Sequence, residues 1–233
     1  MTDPTFNGFD LQIIQFYRNL ALNNNRAWFE QQKPFFQNQV LTTAQSFVVE
    51  LGGRLQQMAP GTVFDTRTNG SGSIFRIYRD TRFSKDKSPY KTNLAMLFWY
   101  DGGLRLEMPC YYVNIQPPDL MLGVGIYQFP TDLLARFRSA VADEEQGEVL
   151  RTIVDSIQAI GPYSVGEKHY KRVPKGYEQY EQNEFLLFNG LTASINEPIP
   201  PVLHSAEFAD YCLQHFKQLK PINDWLVKLV TAG

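Results

Sequence analysis

Cysteine is scarce. Cys110 and Cys212 form a single distant pair with no CxxC motif and no histidine at zinc-finger spacing. That argues against a disulfide framework and a structural zinc site, and both residues read as small hydrophobes of the interior. A long apolar run is also missing. Leu94–Tyr100 is the longest, far short of the roughly 20 residues a membrane helix needs, so no membrane association is expected. Asp3 and Asp10 precede any Lys or Arg, and the start has no compact apolar stretch. This is the wrong layout for a secretory signal, so a cytoplasmic location is expected. Charge of one sign is not in excess either: the net charge is −2, and the surface as a whole offers nothing to draw nucleic acid. The histidines, His169, His204 and His215, are scattered. No ligand spacing points to a metal, and no cofactor is expected.

What is present is core. A chain of 233 residues with 43% hydrophobic content can bury a sizeable interior. From Asp10 to Leu22, apolar residues recur at three and four, as on one face of a helix. Asn23, Asn24 and Asn25 interrupt it and can cap a short helix through Trp28 and Phe29, both expected in the core. Pro34 suits the first turn of a further helix to about Met58, weakened locally by Gly52 and Gly53 and ended by Pro60-Gly61. Residues 67–73, rich in Thr, Asn, Gly and Ser, read as a loop.

The texture then turns β-rich, with expected strands at 74–81, 94–100, 104–108, 110–116 and 120–127. Asp101-Gly102-Gly103 and Pro117-Pro118-Asp119 are reversals. Strands joined so tightly should be mostly antiparallel. Two helices follow Pro130, the second closed by Gly161, and both should cover one face of the sheet. Residues 163–182 read as an exposed connection with one edge strand. A short helix at 185–188, a strand at 191–195 and a proline-rich turn come next. A last helix from Phe208 should stop at Pro221, before a shorter one around Trp225. Helices, then a strand block, then helices is the α+β pattern: a mostly antiparallel central sheet flanked by N-terminal and C-terminal helices. No repeat or linker forces a boundary, so residues 1–233 are expected to form one domain.

One segment stands apart. From Arg76 to Lys91 there are six cations against two carboxylates, a net +4 that leaves −6 for the rest of the chain. If residues 74–83 are extended, period two puts Phe75, Ile77, Arg79, Thr81 and Phe83 on one face and Arg76, Tyr78, Asp80 and Arg82 on the other. An arginine fork suits carboxylate or phosphate oxygens, so the expected partner is a small anionic ligand. Arg76, Arg79 and Arg82 would be clamps oriented by Asp80 and Asp86, with Lys87 and Tyr90 closing the site from the loop.

These residues carry a resemblance. Arg76, Arg79-Asp80, Arg82-Phe83, Asp86-Lys87 and Tyr90 resemble the signature of the domain-of-unknown-function family 2461. The likeness extends from Asn24-Asn25-Arg26-Ala27-Trp28-Phe29-Glu30 to the proline-rich stretch before the last helices. It implies a site location and no chemistry, so whether a reaction is catalysed stays open.

Other readings stand beside the anion site. Arg79 and Asp80 can belong to a structural ion-pair network, and the whole can be a non-enzymatic interaction or scaffold module facing an acidic partner. Tyr78 and Tyr90 read as packed aromatics, and Pro89 as shaping the turn. Ser84 and Ser88 have no identified base. A metal-dependent nuclease or phosphatase using Asp80 and Asp86 is disfavoured, because the surrounding cations would lower both carboxyl pKa values and repel a metal. Single-strand nucleic-acid binding is favoured by interleaved charge and aromatics here and at 168–180, and opposed by the net negative charge. Gly123-Val-Gly125 is too little for a phosphate-cradling loop.

Overall fold

The computed structural model describes residues 5–180 and 183–232. The first amphipathic pattern forms α1, Leu11–Leu22, where the Asp10 side chain accepts from the Gln12 N–H at 2.7 Å. Asn25 caps α2, Arg26–Phe35, by accepting from the Trp28 N–H at 3.0 Å. Pro34 corrects an expectation. It lies inside α2, and the chain runs on without a break through a π-helical segment, Phe36–Leu41, into α3, Thr42–Met58. Proline removes one intrahelical bond and crowds the preceding turn, and the widened turn just after it lets the helix continue.

Among the described residues six strands follow: β1 Thr62–Val63, β2 Leu94–Tyr100, β3 Cys110–Gln116, β4 Asp119–Ile126, β5 Ser164–Val165 and β6 Leu191–Pro198. They form one antiparallel sheet in the order β1-β2-β3-β4-β6-β5. β5 is the expected edge strand, with Ser164 opposite Ser194 and Val165 opposite Ala193. At Gly125 the chain takes φ +116°, and a Cβ there would lie 2.1 Å from the Leu191 carbonyl oxygen. Only glycine allows β4 to approach β6 so closely. The expected strand at 104–108 does not form. The Tyr100 N–H bonds the Pro109 carbonyl at 2.8 Å, closing β2 directly onto β3. The intervening residues are left as a loop, with Leu104 and Leu106 exposed.

The helices after the sheet are α4, Thr131–Ala142, and α5, Glu144–Ile160, capped by Asp143 on the Gln146 N–H at 2.9 Å. The last two residues of the expected 163–182 connection lie outside the described residues. The short helix near 185 is a 3₁₀ turn, Glu184–Leu187. The final helix, α6, runs unbroken over Phe208–Thr231 with Pro221 inside it, against the expected stop. The reason is packing. Phe208, Cys212, Phe216, Leu219, Ile222 and Leu226 are all fully buried at steps of three and four, so one apolar stripe continues across the proline. The molecule is thus an α+β fold, with helices at both ends of the sequence.

Contacts group the chain into two compact units. The first comprises Met1–Phe98, Tyr112–Met121 and Asn196–Gln214. Its core is aromatic: Phe9 and Phe47 rings lie 5.3 Å apart, and Phe47 stacks on Phe208 at 5.2 Å. The second comprises Trp99–Tyr111, Leu122–Ile195 and His215–Gly233. It packs Phe137 against Phe129 and Trp225. Cys110 donates to the Gly125 carbonyl at 3.1 Å, and burial raises its thiol pKa to about 12, so it is an inert packing group.

Candidate functional site: a stapled cationic loop between two recesses

The signature segment lies in the first unit. It runs alongside the chain that enters β2, touching it at two antiparallel bridges, Ile74 with Met96 and Tyr78 with Tyr90. Four steps separate the bridges on one side and six on the other. Two extra residues therefore interrupt the ladder, and the expected strand at 74–81 is an extended segment paired only at its ends. The face alternation nevertheless holds: Ile77 is buried, Phe75 and Arg79 are half-buried, and Arg76, Tyr78, Asp80 and Arg82 are exposed. The exception is Phe83, placed on the inner face by periodicity but 95% exposed. By that point the chain has left the pairing at Arg79 and Pro89.

Residues 79–89 form a loop stapled by its own side chains. Asp80 accepts from Arg82 through the backbone N–H at 3.2 Å, Nε at 3.0 Å and Nη2 at 2.7 Å. These bonds, led by the guanidinium, pull the Asp80 pKa down to about 2, and the charge of Arg76 adds a smaller push. Asp86 accepts from the Ser88 hydroxyl at 2.6 Å, from the Arg79 guanidinium, and from the Ser88 N–H at 2.9 Å. The Ser88 hydroxyl and the Arg79 guanidinium together push its pKa well below the usual carboxylate range. Lys87 donates to the Thr81 carbonyl at 2.8 Å across the loop. Both carboxylates are thus ionised acceptors, unsuited to carrying protons near neutral pH.

Tyr90 anchors the base of the loop. Its ring is buried, stacked on Phe29 with centroids 4.1 Å apart, and burial raises its phenol pKa. Its backbone is held from α2's approach: Asn24 Nδ2 donates to the Tyr90 carbonyl at 2.9 Å, and Asn24 Oδ1 accepts from the Tyr90 N–H at 3.1 Å. Tyr78, by contrast, is 48% exposed.

The candidate residues divide among three places. Arg76 and Tyr78 line one recess of about 400 Å³ together with Phe29, Lys33, Gln37 and Asn69. Arg79, Asp86 and Tyr90 line a second, also about 400 Å³, with Asn24, Lys91 and Asn93. Asp80, Arg82 and Lys87 line neither and serve the loop itself. Each recess carries two cations, but their partners differ. In the second, Arg79 is ion-paired with Asp86, and Lys91 stands over the Phe75 ring at 5.3 Å. In the first, Arg76 has no hydrogen-bonded acid among the described residues, and Lys33 shares its charge with exposed Glu30 at 3.2 Å.

Sequence reasoning missed Lys33, Gln37, Thr68 and Asn69 as recess residues and Asn24 as a clamp. Asn69-Gly70 was the available signal. Gly70 takes φ +92°, a turn immediately before the motif, and a Cβ there would lie 3.6 Å from Arg76 Cβ and Cδ. The chain thereby lays the aliphatic stem of Arg76 against the turn.

A more voluminous recess, about 740 Å³, lies in the second unit beside Trp225. Two of its polar groups already serve the fold: Arg136 donates to the Leu229 carbonyl and Asp143 caps α5. His204 and His215 are likewise bonded, to the Phe9 carbonyl at 2.6 Å and the Tyr163 hydroxyl at 2.9 Å. Among the described residues no three His, Cys, Asp or Glu side chains gather as metal ligands, and no helix is long and apolar enough to cross a membrane.

Fold and site together define an α+β protein with an internally ion-paired cationic loop. The chain belongs to the family described as conserved hypothetical protein (DUF2461), whose model matches residues 12–225. No curated protein and no solved structure matches it.

Proposed function

We propose that the protein binds a small anion, phosphate-bearing or carboxylate, in the recess headed by Arg76, with the stapled loop as its rigid frame. One observation carries this reading. Of the three signature arginines, Arg82 and Arg79 spend their charge on Asp80 and Asp86, whereas Arg76 opens onto a recess beside a second cation, Lys33. A fork held on a turn, with a lysine beside it that shares its charge with exposed Glu30, is suited to oxyanion oxygens. The test is thermal stability in inorganic phosphate and, separately, in citrate. Ligand at a hundred times its dissociation constant adds about 2.7 kcal/mol. Arg76→Gln should abolish that increment and Arg18→Gln, on α1, should retain it. No shift with either anion, or an undiminished shift in Arg76→Gln, refutes the proposal.

A second reading, an interaction module for an acidic partner, is favoured by Phe83. Its ring stands 95% exposed at the tip of the loop, with Arg82 5.8 Å over it. An aromatic presented on a rigid cationic tip is a suitable anchor for a pocket rimmed by acids.

A further inference from the structure

We infer that the ligand of the Arg76 recess is a mononucleotide, a planar aromatic body carrying a phosphate; this rests on the anion-binding reading above and narrows it. The recess is about 400 Å³, within the range of cavities that enclose small organic ligands, and a bare inorganic anion would leave most of it empty. Its charged and polar groups are mainly donors: the Arg76 guanidinium, the Lys33 ammonium, the Asn69 amide nitrogen and the Thr68 hydroxyl. No carboxylate lines it. Asn69 is already polarised for this, since its oxygen accepts from the Ser71 N–H at 3.0 Å and hydroxyl at 2.7 Å, which turns its NH₂ into the remaining group.

The rest of the wall is aromatic. Phe29, Phe36, Phe75 and Tyr78 contribute to it, and Tyr78, 48% exposed, presents ring surface on which a second ring can stack. Phe29 and Tyr90 hold Tyr78 by ring contacts at 6.3 and 5.5 Å, so the platform is fixed before a ligand arrives. Gln37 adds a group suited to reading a base edge. It comes from the π-helical segment, lines the recess, and its amide has no hydrogen-bond partner among the described residues. A glutamine amide offers a donor and an acceptor side by side, the pattern that matches the exposed edge of adenine. π-Helical turns recur at functional sites. Cation, stacking platform and free amide thus occur together on one recess.

The experiment is calorimetric titration of the full chain with adenosine monophosphate, inorganic phosphate, adenosine and a single-stranded oligoadenylate. The nucleotide should bind about tenfold or more tightly than phosphate, the contribution of one base–aromatic stack. Tyr78→Ala should remove that advantage, so that nucleotide and phosphate then bind alike, whereas Arg76→Gln should weaken both. Equal affinities for nucleotide and phosphate overturn this inference and leave anion binding standing. Adenosine binding as tightly as the nucleotide, or no binding by any probe, overturns both. An oligoadenylate that binds tenfold more tightly than the mononucleotide makes the recess part of a strand-binding track and overturns the inference.

Discussion

Asn24 connects the start of the helical region to the signature loop, and its removal has a calculable cost. Its side chain makes two hydrogen bonds to the Tyr90 backbone, at 2.9 and 3.1 Å, next to a ring that is 3% exposed. A net hydrogen bond contributes about 1 kcal/mol, more when its partner is left buried and unpaired. Asn24 borders an open recess, so water can reach part of the vacated site, and Asn24→Ala is expected to cost about 2 kcal/mol. For a chain of this size that lowers Tm by roughly 4–8 °C, at about 2–4 °C per kcal/mol. Asn24→Asp keeps the acceptor for the Tyr90 N–H but sets a carboxylate oxygen against the Tyr90 carbonyl. At neutral pH it should be at least as damaging as alanine, and it should recover partly in acid, where the protonated carboxyl donates. Chemical denaturation and thermal melts read both variants. A Tm for Asn24→Ala within about 1 °C of the parent would mean the clamp carries no stability, and the account of how Tyr90 is held would be wrong.

Three further outcomes are expected. Gly125→Ala should destabilise by about 3 kcal/mol or prevent folding, because its Cβ meets the Leu191 carbonyl oxygen at 2.1 Å with φ at +116°; a soluble variant of parental denaturation midpoint would refute this. Pro221→Ala should stabilise by about 1 kcal/mol or more, since it restores a missing donor inside an otherwise continuous helix; a loss of stability in denaturant titration would show that the ring's packing outweighs the restored bond. The loop should also loosen in acid. Asp80 titrates at about 2 when folded against a usual value of 3.8, and Asp86 is lowered as well. Depressed carboxylates stabilise fully above the unfolded value, so the stapling should be intact above about pH 4 and lost as pH falls toward 2. Carboxyl chemical shifts of both residues read this directly, and a midpoint near 3.8 for either would remove its ion pair from the account.

Local chemistry was legible in the sequence wherever one residue type decides the outcome. Asn25 was readable as a cap, and the strands at 94–100 and 110–116 keep their expected bounds. Proline misled twice. Pro34 reads as the start of a helix and Pro221 as a stop because each lacks a donor, but both are exposed inside helices that continue past them; at Pro221 the buried stripe beside it outweighs one lost bond, and that stripe is visible only when the periods on both sides of the proline are joined. The 104–108 segment has strand composition but no partner, and pairing is a tertiary fact. For the site, the segment itself was legible from its charge asymmetry. Its division between two recesses was not, because Lys33, Gln37 and Asn69 come from distant elements whose approach depends on how the helix and the Asn69-Gly70 turn are placed.

The π turn at Phe36–Leu41 acts as a phase setter. Each helical residue rotates the chain by about 100°, so inserting or deleting one within this stretch would swing Phe29 and Lys33 by that angle relative to α3. The Tyr90 ring would lose its stacking partner and the recess its second cation in a single step. Substitutions that keep length at exposed Asn38 and Gln39 should therefore be tolerated, while any change in the number of residues should act on the stack and the recess together.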